Sequence, residues 1–254
     1  MFRLPIHKFT TTRKVSAITT LASLFANTNT PPMEPQTNAL PRSLYPKEIT
    51  YTTSDLARQD ESPDTTWYRS PRFVQHIDDG AVTALRAYYA TQIKDADSVV
   101  DVCSSWTSHL PETLKASRVV GYGLNAAEMK ANKHLTSYYV KDLNTTPSLQ
   151  EVEDSSMDVV LCNVSVDYLN KPVEVFKEMG RVLKKGGTAH MAFSDRCFPT
   201  KVVHRWLKMS DEERRKWVGG YFWASELFEH VEDVVLREGS LGQDPLFVIR
   251  GVRC

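Results

Sequence analysis

Three observations predict an α/β protein built on a doubly wound, mostly parallel seven-stranded sheet. From residue 78 onward, short apolar runs alternate with helical patterns, as parallel strands joined by crossover helices do. Met157-Asp158-Val159-Val160-Leu161-Cys162 is apolar enough for a strand covered on both faces. Two last runs, 231–237 and 246–252, flank a turn containing Gly239 and Gly242 and predict an antiparallel terminal strand pair.

The elements follow in order. Residues 78–93 carry Val82, Leu85, Tyr89 and Ile93 at helical spacing, which packs one face on a core. Residues 98–103 read as the first strand, 110–116 as a short helix and 118–123 as the second strand. A helix over 126–132 and a third strand over 137–140 precede the fourth strand at 157–162. Asn170 is expected to cap a helix with Pro172 in its first turn, running through Val175, Met179 and Val182. Lys184-Lys185-Gly186-Gly187 should end it, with cations at the negative helix terminus and glycine to stop it. A fifth strand spans 188–193, and Ser210 with Glu213 makes a capping box for a further helix.

Composition narrows the function classes. A chain of 254 residues with 41% hydrophobic content holds one ordinary domain plus extensions. Its formal net charge of zero gives no field for nucleic acid, which is not expected as a partner. No apolar run approaches the roughly 20 residues of a transmembrane segment. Cys103, Cys162, Cys197 and Cys254 are scattered, which suits a reducing compartment and supplies no zinc signature, so no metal is expected. Up to Glu34 there is no acid, while Arg3, Lys8, Arg13 and Lys14 stand among many Thr and Ser. That is the composition of an organellar transit peptide, mitochondrial first and plastid second, with a cytosolic tail as the plain alternative. Residues 1–45 are thus expected to be leader and proline-rich linker, 46–96 an extension with a helix and a candidate lid, and 97–254 the domain. The lid candidate runs from Trp67 to Asp78, mixing aromatic and charged residues.

The stretch from Val99 to Pro111 runs from an apolar strand into Asp101 and then into a polar turn. This is how a nucleotide-type cofactor site opens in a doubly wound fold. The turn holds Cys103, Ser104, Ser105 and Trp106, where glycines usually let a backbone approach a ligand.

From Asp97 to its end the chain resembles the class I S-adenosylmethionine-dependent methyltransferases of the type 11 group. The resemblance rests on Val99-Val100-Asp101, on Val120-Gly121-Tyr122-Gly123-Leu124-Asn125, on Val140-Lys141-Asp142-Leu143-Asn144 and on the Met157 strand. The most specific piece is Val175-Phe176-Lys177-Glu178-Met179-Gly180-Arg181-Val182-Leu183-Lys184-Lys185-Gly186-Gly187. Ser104-Ser105-Trp106, Ser108-His109-Leu110-Pro111 and Arg196-Cys197-Phe198-Pro199-Thr200-Lys201 are similar to a branch with a glycine-poor cofactor loop.

The lack of a basic face or nucleic-acid module points to a small-molecule substrate. The resemblance implies a Rossmann-like methyltransferase fold and S-adenosyl-L-methionine as cofactor. It implies that Asp101 orients the cofactor's ammonium group and that Asp142, with Leu143 beside it, lies near the adenine. Ser104 and Ser105 would hold the methionine end, and Asn163 follows the fourth strand near the substrate. The family's ribose-binding acid at the end of the second strand is replaced by Gly123, leaving Asn125 to offer neutral hydrogen bonds. Each residue has a plain alternative: Asp101 as a turn-stabilising acid, Asp142 as a loop acid, Trp106 as a core anchor. His109 is a candidate base or a structural histidine, and Tyr168 a substrate-docking or packing residue. Cys103 and Cys162 face the same region, and buried thiols are mostly inert. Arg196 with Lys201 is a candidate anion receiver or a solvated pair. Three functions follow: a methyltransferase in an organelle, a non-catalytic methyltransferase-like binding or assembly protein, or a nicotinamide-dependent oxidoreductase. The missing GxGxxG turn disfavours the last. Oligomeric state is not fixed by the sequence.

Overall fold

In place of part of the expected linker, Gln36–Ala39 forms a strand, β1, followed by the buried Leu40. A computed structural model describes residues 34–254; the expected transit peptide lies outside them. Two single-turn helices come next, α1 (Thr53–Leu56) and α2 (Asp64–Trp67). Helix α3 (Asp79–Gln92) begins where Asp78 accepts the Ala81 N–H at 2.9 Å. It buries Val82, Leu85 and Tyr89, and Ile93 just beyond its end is buried too.

Strands β2 (Ser98–Val102) and β3 (Arg118–Gly123) flank a stretch that is not the helix expected over 110–116. There the Leu114 N–H reaches the Pro111 carbonyl, and the Lys115 N–H is drawn to Asp95 at 2.9 Å. Only Leu110 of this stretch is buried, so no apolar face supports a helix. Helix α4 (Ala126–Ala131), β4 (Ser137–Val140) and β5 (Met157–Asn163) follow.

Helix α5 (Pro172–Val182) has Lys171, not Asn170, at its cap, without a side-chain bond. The Asn170 N–H is instead taken by Asn144 at 2.9 Å. The helix stops at Val182 because β6 (Leu183–Phe193) starts at once. The Lys184–Gly187 run therefore belongs to a strand, irregular where Gly186 turns to φ +79°. Helix α6 (Asp211–Ser225) opens on the Ser210–Glu213 capping box, and β7 (Phe228–Arg237) and β8 (Leu246–Arg253) close the chain.

The sheet has eight strands, one more than expected, in the order β1-β7-β8-β6-β5-β2-β3-β4. The pairs among β6, β5, β2, β3 and β4 are parallel, while β8 is antiparallel to both β6 and β7. The extra strand is β1, antiparallel to β7 with Gln36 opposite Val235. Alternation along β2 splits the core: Val100 and Val102 join Phe176, Met179 and Phe222 beneath α5 and α6. Val99 joins Leu85, Tyr89 and Val248 beneath α3. The chain reverses its progress across the sheet between β2 and β5, and such switch points gather ligands at the strands' carboxyl ends.

Candidate functional site

Asp101 sits at this switch point, 1% exposed. One of its carboxylate oxygens accepts the Ser104 and Ser108 hydroxyls, each at 2.7 Å. Asn132 donates to the Ser108 hydroxyl and to the Ser105 carbonyl, which ties the loop to the end of α4. Both readings of Asp101 therefore hold: it braces the turn and also lines the cavity above it. The loop lacks glycine yet keeps a glycine-like path. Cys103 (φ +57°) and His109 (φ +55°) are left-handed, as is Val164 (φ +50°) after β5. Left-handed backbone costs on the order of 1–3 kcal/mol for such residues, and outliers of this kind cluster at functional sites.

Gly123 is glycine for steric reasons. The Ser104 N–H bonds the Tyr122 carbonyl at 2.6 Å, which brings the Ser104 carbonyl over β3. A Cβ at position 123 would stand 2.1 Å from that oxygen. The ribose acid of the family cannot occupy this position while the loop takes this path.

Asn125, expected to substitute for that acid, is fully employed elsewhere. Its carbonyl oxygen caps α4 by accepting from Ala127 and Glu128. Its amide donates to the Tyr68 and Arg69 carbonyls at 2.8 and 3.2 Å. All four hydrogen-bonding positions of the amide are used, so Asn125 borders the cavity without a group to spare.

Another acid bordering the cavity is Glu128, which the sequence does not single out. Its oxygens accept the Ser105 hydroxyl at 2.6 Å and the Arg72 N–H at 2.7 Å. The only prior signal was its place in the first turn of a helix that follows the second strand.

Asp142 is a loop acid that also lines the cavity, accepting from the Asn144 N–H and the Thr145 hydroxyl. Leu143 is buried beside it. Asn163 accepts from the buried Tyr89 hydroxyl at 2.6 Å and donates to the Ser108 carbonyl. Tyr168, in a single 3-10 turn after β5, accepts the Phe198 N–H at 2.7 Å. With Asp101, Ser104, Ser105, Asn125 and His109, these residues border one cavity of about 630 Å³. That volume suits a cofactor or small molecule.

The segment running from α2 to α3 covers this cavity. Tyr68, Arg72, Val74 and His76 line it from above. Besides its bonds to Asn125 and Glu128, the segment is held by the Trp106 indole N–H on the Val74 carbonyl at 3.1 Å. Trp106 is thus a cavity wall and a clamp, not a core anchor.

Burial dominates the electrostatics. It raises the Asp101 pKa to about 6 against the two serine hydroxyls, which favour the charged form. Burial, then Arg86 and His76, lowers His109 to about 4, so its ring is neutral at pH 7; its Nδ1 has no partner among the described residues. Burial and Asp167 hold the Tyr168 phenol well above its ordinary value, so it stays protonated. Asp167 itself is buried outside the cavity wall, its pKa raised to about 7. Cys103 borders the cavity, but Cys162 lies in the core, its thiol pushed up by the Cys103 hydrogen bond and by burial. Lys201 is no anion receiver: it is 1% exposed and bound to Asp64 at 3.1 Å and Asp60 at 3.3 Å.

A largely parallel sheet of this order, with an antiparallel closing strand and the buried Asp101 near the end of β2, is the Rossmann-like fold that the resemblance implies. Residues 100–191, from β2 through most of β6, match the family model described as "Methyltransferase domain". Over those residues, about a third of its length, the chain is similar to that methyltransferase-domain family.

Among solved structures, one is a chain of the complex between the Haloferax volcanii Trm112 methyltransferase activator and a methyltransferase. It is 18% identical, with TM-score 0.50 over 68% of this chain and 90% of that chain. An S-adenosylmethionine-dependent methyltransferase from Mesorhizobium loti is 13% identical, TM-score 0.45, covering 67% and 98%. A TehB-like methyltransferase from Corynebacterium glutamicum is 12% identical, TM-score 0.47, covering 67% and 88%. At such identities the likeness concerns the fold. No curated protein sequence matches the chain.

Proposed function

We propose that this chain transfers a methyl group from S-adenosyl-L-methionine to a small-molecule acceptor inside an organelle. The carrying observation is Asp101: a buried carboxylate, bonded to no basic side chain among the described residues, at the switch point beneath a cavity of cofactor size. Its charge suits the ammonium group of the cofactor's methionine end. Leu143 and Asp142 border the region suited to the adenine, and Glu128 offers a carboxylate near the filled position at Gly123. When bound, the cofactor supplies an electrophilic methyl group on a sulfonium. The segment over the cavity excludes water and aligns the acceptor, which is most of what an in-line displacement requires. His109, neutral and bordering the cavity, is suited to hydrogen-bond an acceptor but, with its pKa lowered to about 4, is a weak proton acceptor at neutral pH.

Calorimetry with S-adenosylmethionine, S-adenosylhomocysteine and NAD tests the reading. Binding of the first two and not the third is expected; binding of NAD alone would overturn it. The Ser104 carbonyl over Gly123 and the committed Asn125 favour a second reading, a non-catalytic binding protein, since both remove usual ribose contacts. Binding without turnover across an acceptor panel would select it. The organelle assignment rests on residues 1–33, and imaging of a carboxyl-terminal fluorescent fusion decides it, a cytosolic signal counting against it.

A further inference from the structure

Arg72 is the cation the proposed reaction does not use. Its backbone N–H is fixed by Glu128 on α4, while its side chain crosses the cavity toward the loop after β6. There the guanidinium carbon lies 5.5 Å from the Trp67 ring centroid, 5.4 Å from that of Tyr68 and 5.7 Å from that of Phe198. One terminal nitrogen donates to the Trp67 carbonyl at 3.0 Å. The other, Nη1, is buried and has no hydrogen-bond partner among the described residues.

No carboxylate among the described residues pairs with its guanidinium, and Asp195, which also borders the cavity, accepts the Ser194 hydroxyl. Asp64 is bound by Arg58 and Lys201, and Asp101 by two serines. Glu128 takes the Arg72 N–H, not its guanidinium, and Asp142 closes its own turn. A buried donor left unpaired is costly, more so when charged, so a ligand that satisfies it is favoured. Beside it, the Tyr168 ring centroid is 6.1 Å from that of Phe198. The Tyr168 oxygen already accepts the Phe198 N–H, so its own proton is free to be donated.

We infer that Arg72 and Tyr168, walled by Tyr68 and Phe198, form an acceptor subsite for a small planar molecule bearing a carboxylate. Guanidinium and phenol each bring a donor with no acceptor among the described residues to one cavity, and the Tyr68 and Phe198 rings border it beside them. This rests on the methyltransferase reading only for the role of the molecule bound, not for its binding.

The test is calorimetric titration of the full chain with benzoate and trans-cinnamate and with their amides, with and without saturating S-adenosylhomocysteine. The acids should bind at least 10-fold more tightly than the amides. Arg72→Gln should abolish that preference, and Arg72→Lys should keep part of it. Phe198→Leu should weaken acid and amide alike, which separates the charge from the wall should Arg72→Gln prove unstable. Equal affinity for acids and amides, absence of binding of either acid, or a preference surviving in a folded Arg72→Gln overturns the inference. Failure of S-adenosylhomocysteine to bind while the acids still bind would count against the cofactor reading alone.

Discussion

Asp101 carries both a cost and a use. Its folded-state pKa, about 6, lies above the ordinary carboxylate value. The native state therefore holds the proton more tightly than the unfolded chain between about pH 4 and 6, and stability falls as pH rises through that window. Raising that pKa to about 6 by burial amounts to roughly 3 kcal/mol of stability that is present at low pH and lost above about pH 6. Asp101→Asn should thus be no less stable than the parent at pH 7.5, as thermal melts would show. The same variant should bind S-adenosylhomocysteine about 10- to 100-fold more weakly, the worth of a charge-assisted hydrogen bond. In the parent, affinity should drop as pH falls through about 6, because a protonated Asp101 no longer attracts an ammonium. A flat affinity from pH 5 to 8 would contradict this assignment.

At the scale of elements, Asn125 joins α4 to the covering segment. Asn125→Ala removes an N-cap and two bonds to the 68–69 backbone. A cap alone is worth about 1 kcal/mol, and the loss should appear as a lower melting temperature with faster proteolysis within residues 64–77. S-adenosylhomocysteine affinity should change little; a large loss would restore Asn125 as a ribose ligand. The elements themselves were mostly legible. Strands 118–123 and 137–140 and the Ser210 capping box rest on local pattern, and they form where pattern places them. The 110–116 helix failed because tethering to Asp95 outweighs weak propensity, and Asn170 is not the cap because α5 starts one residue later, behind Lys171. The nine site residues converge on one cavity because strand ends are readable from sequence. Glu128 and Arg72 were not readable, since their importance arises from contacts across 56 residues of chain.

The whole sheet depends on its added edge. Strand β1 covers β7 from Glu232 to Val235, where Val234 and Val235 are both buried. A chain starting at residue 41 would leave that edge open, and unpaired edges recruit other strands. Such a chain should melt earlier and self-associate beyond the full chain in light scattering; unchanged behaviour would mean β7 needs no cover. The covering segment has a consequence of another kind. Four hydrogen bonds, from Asn125, Glu128 and Trp106, fasten it to the loop and helix that border the cavity floor. Loosening any of them should therefore speed a ligand's exchange more than it weakens its equilibrium binding, so residence time and affinity become separate quantities.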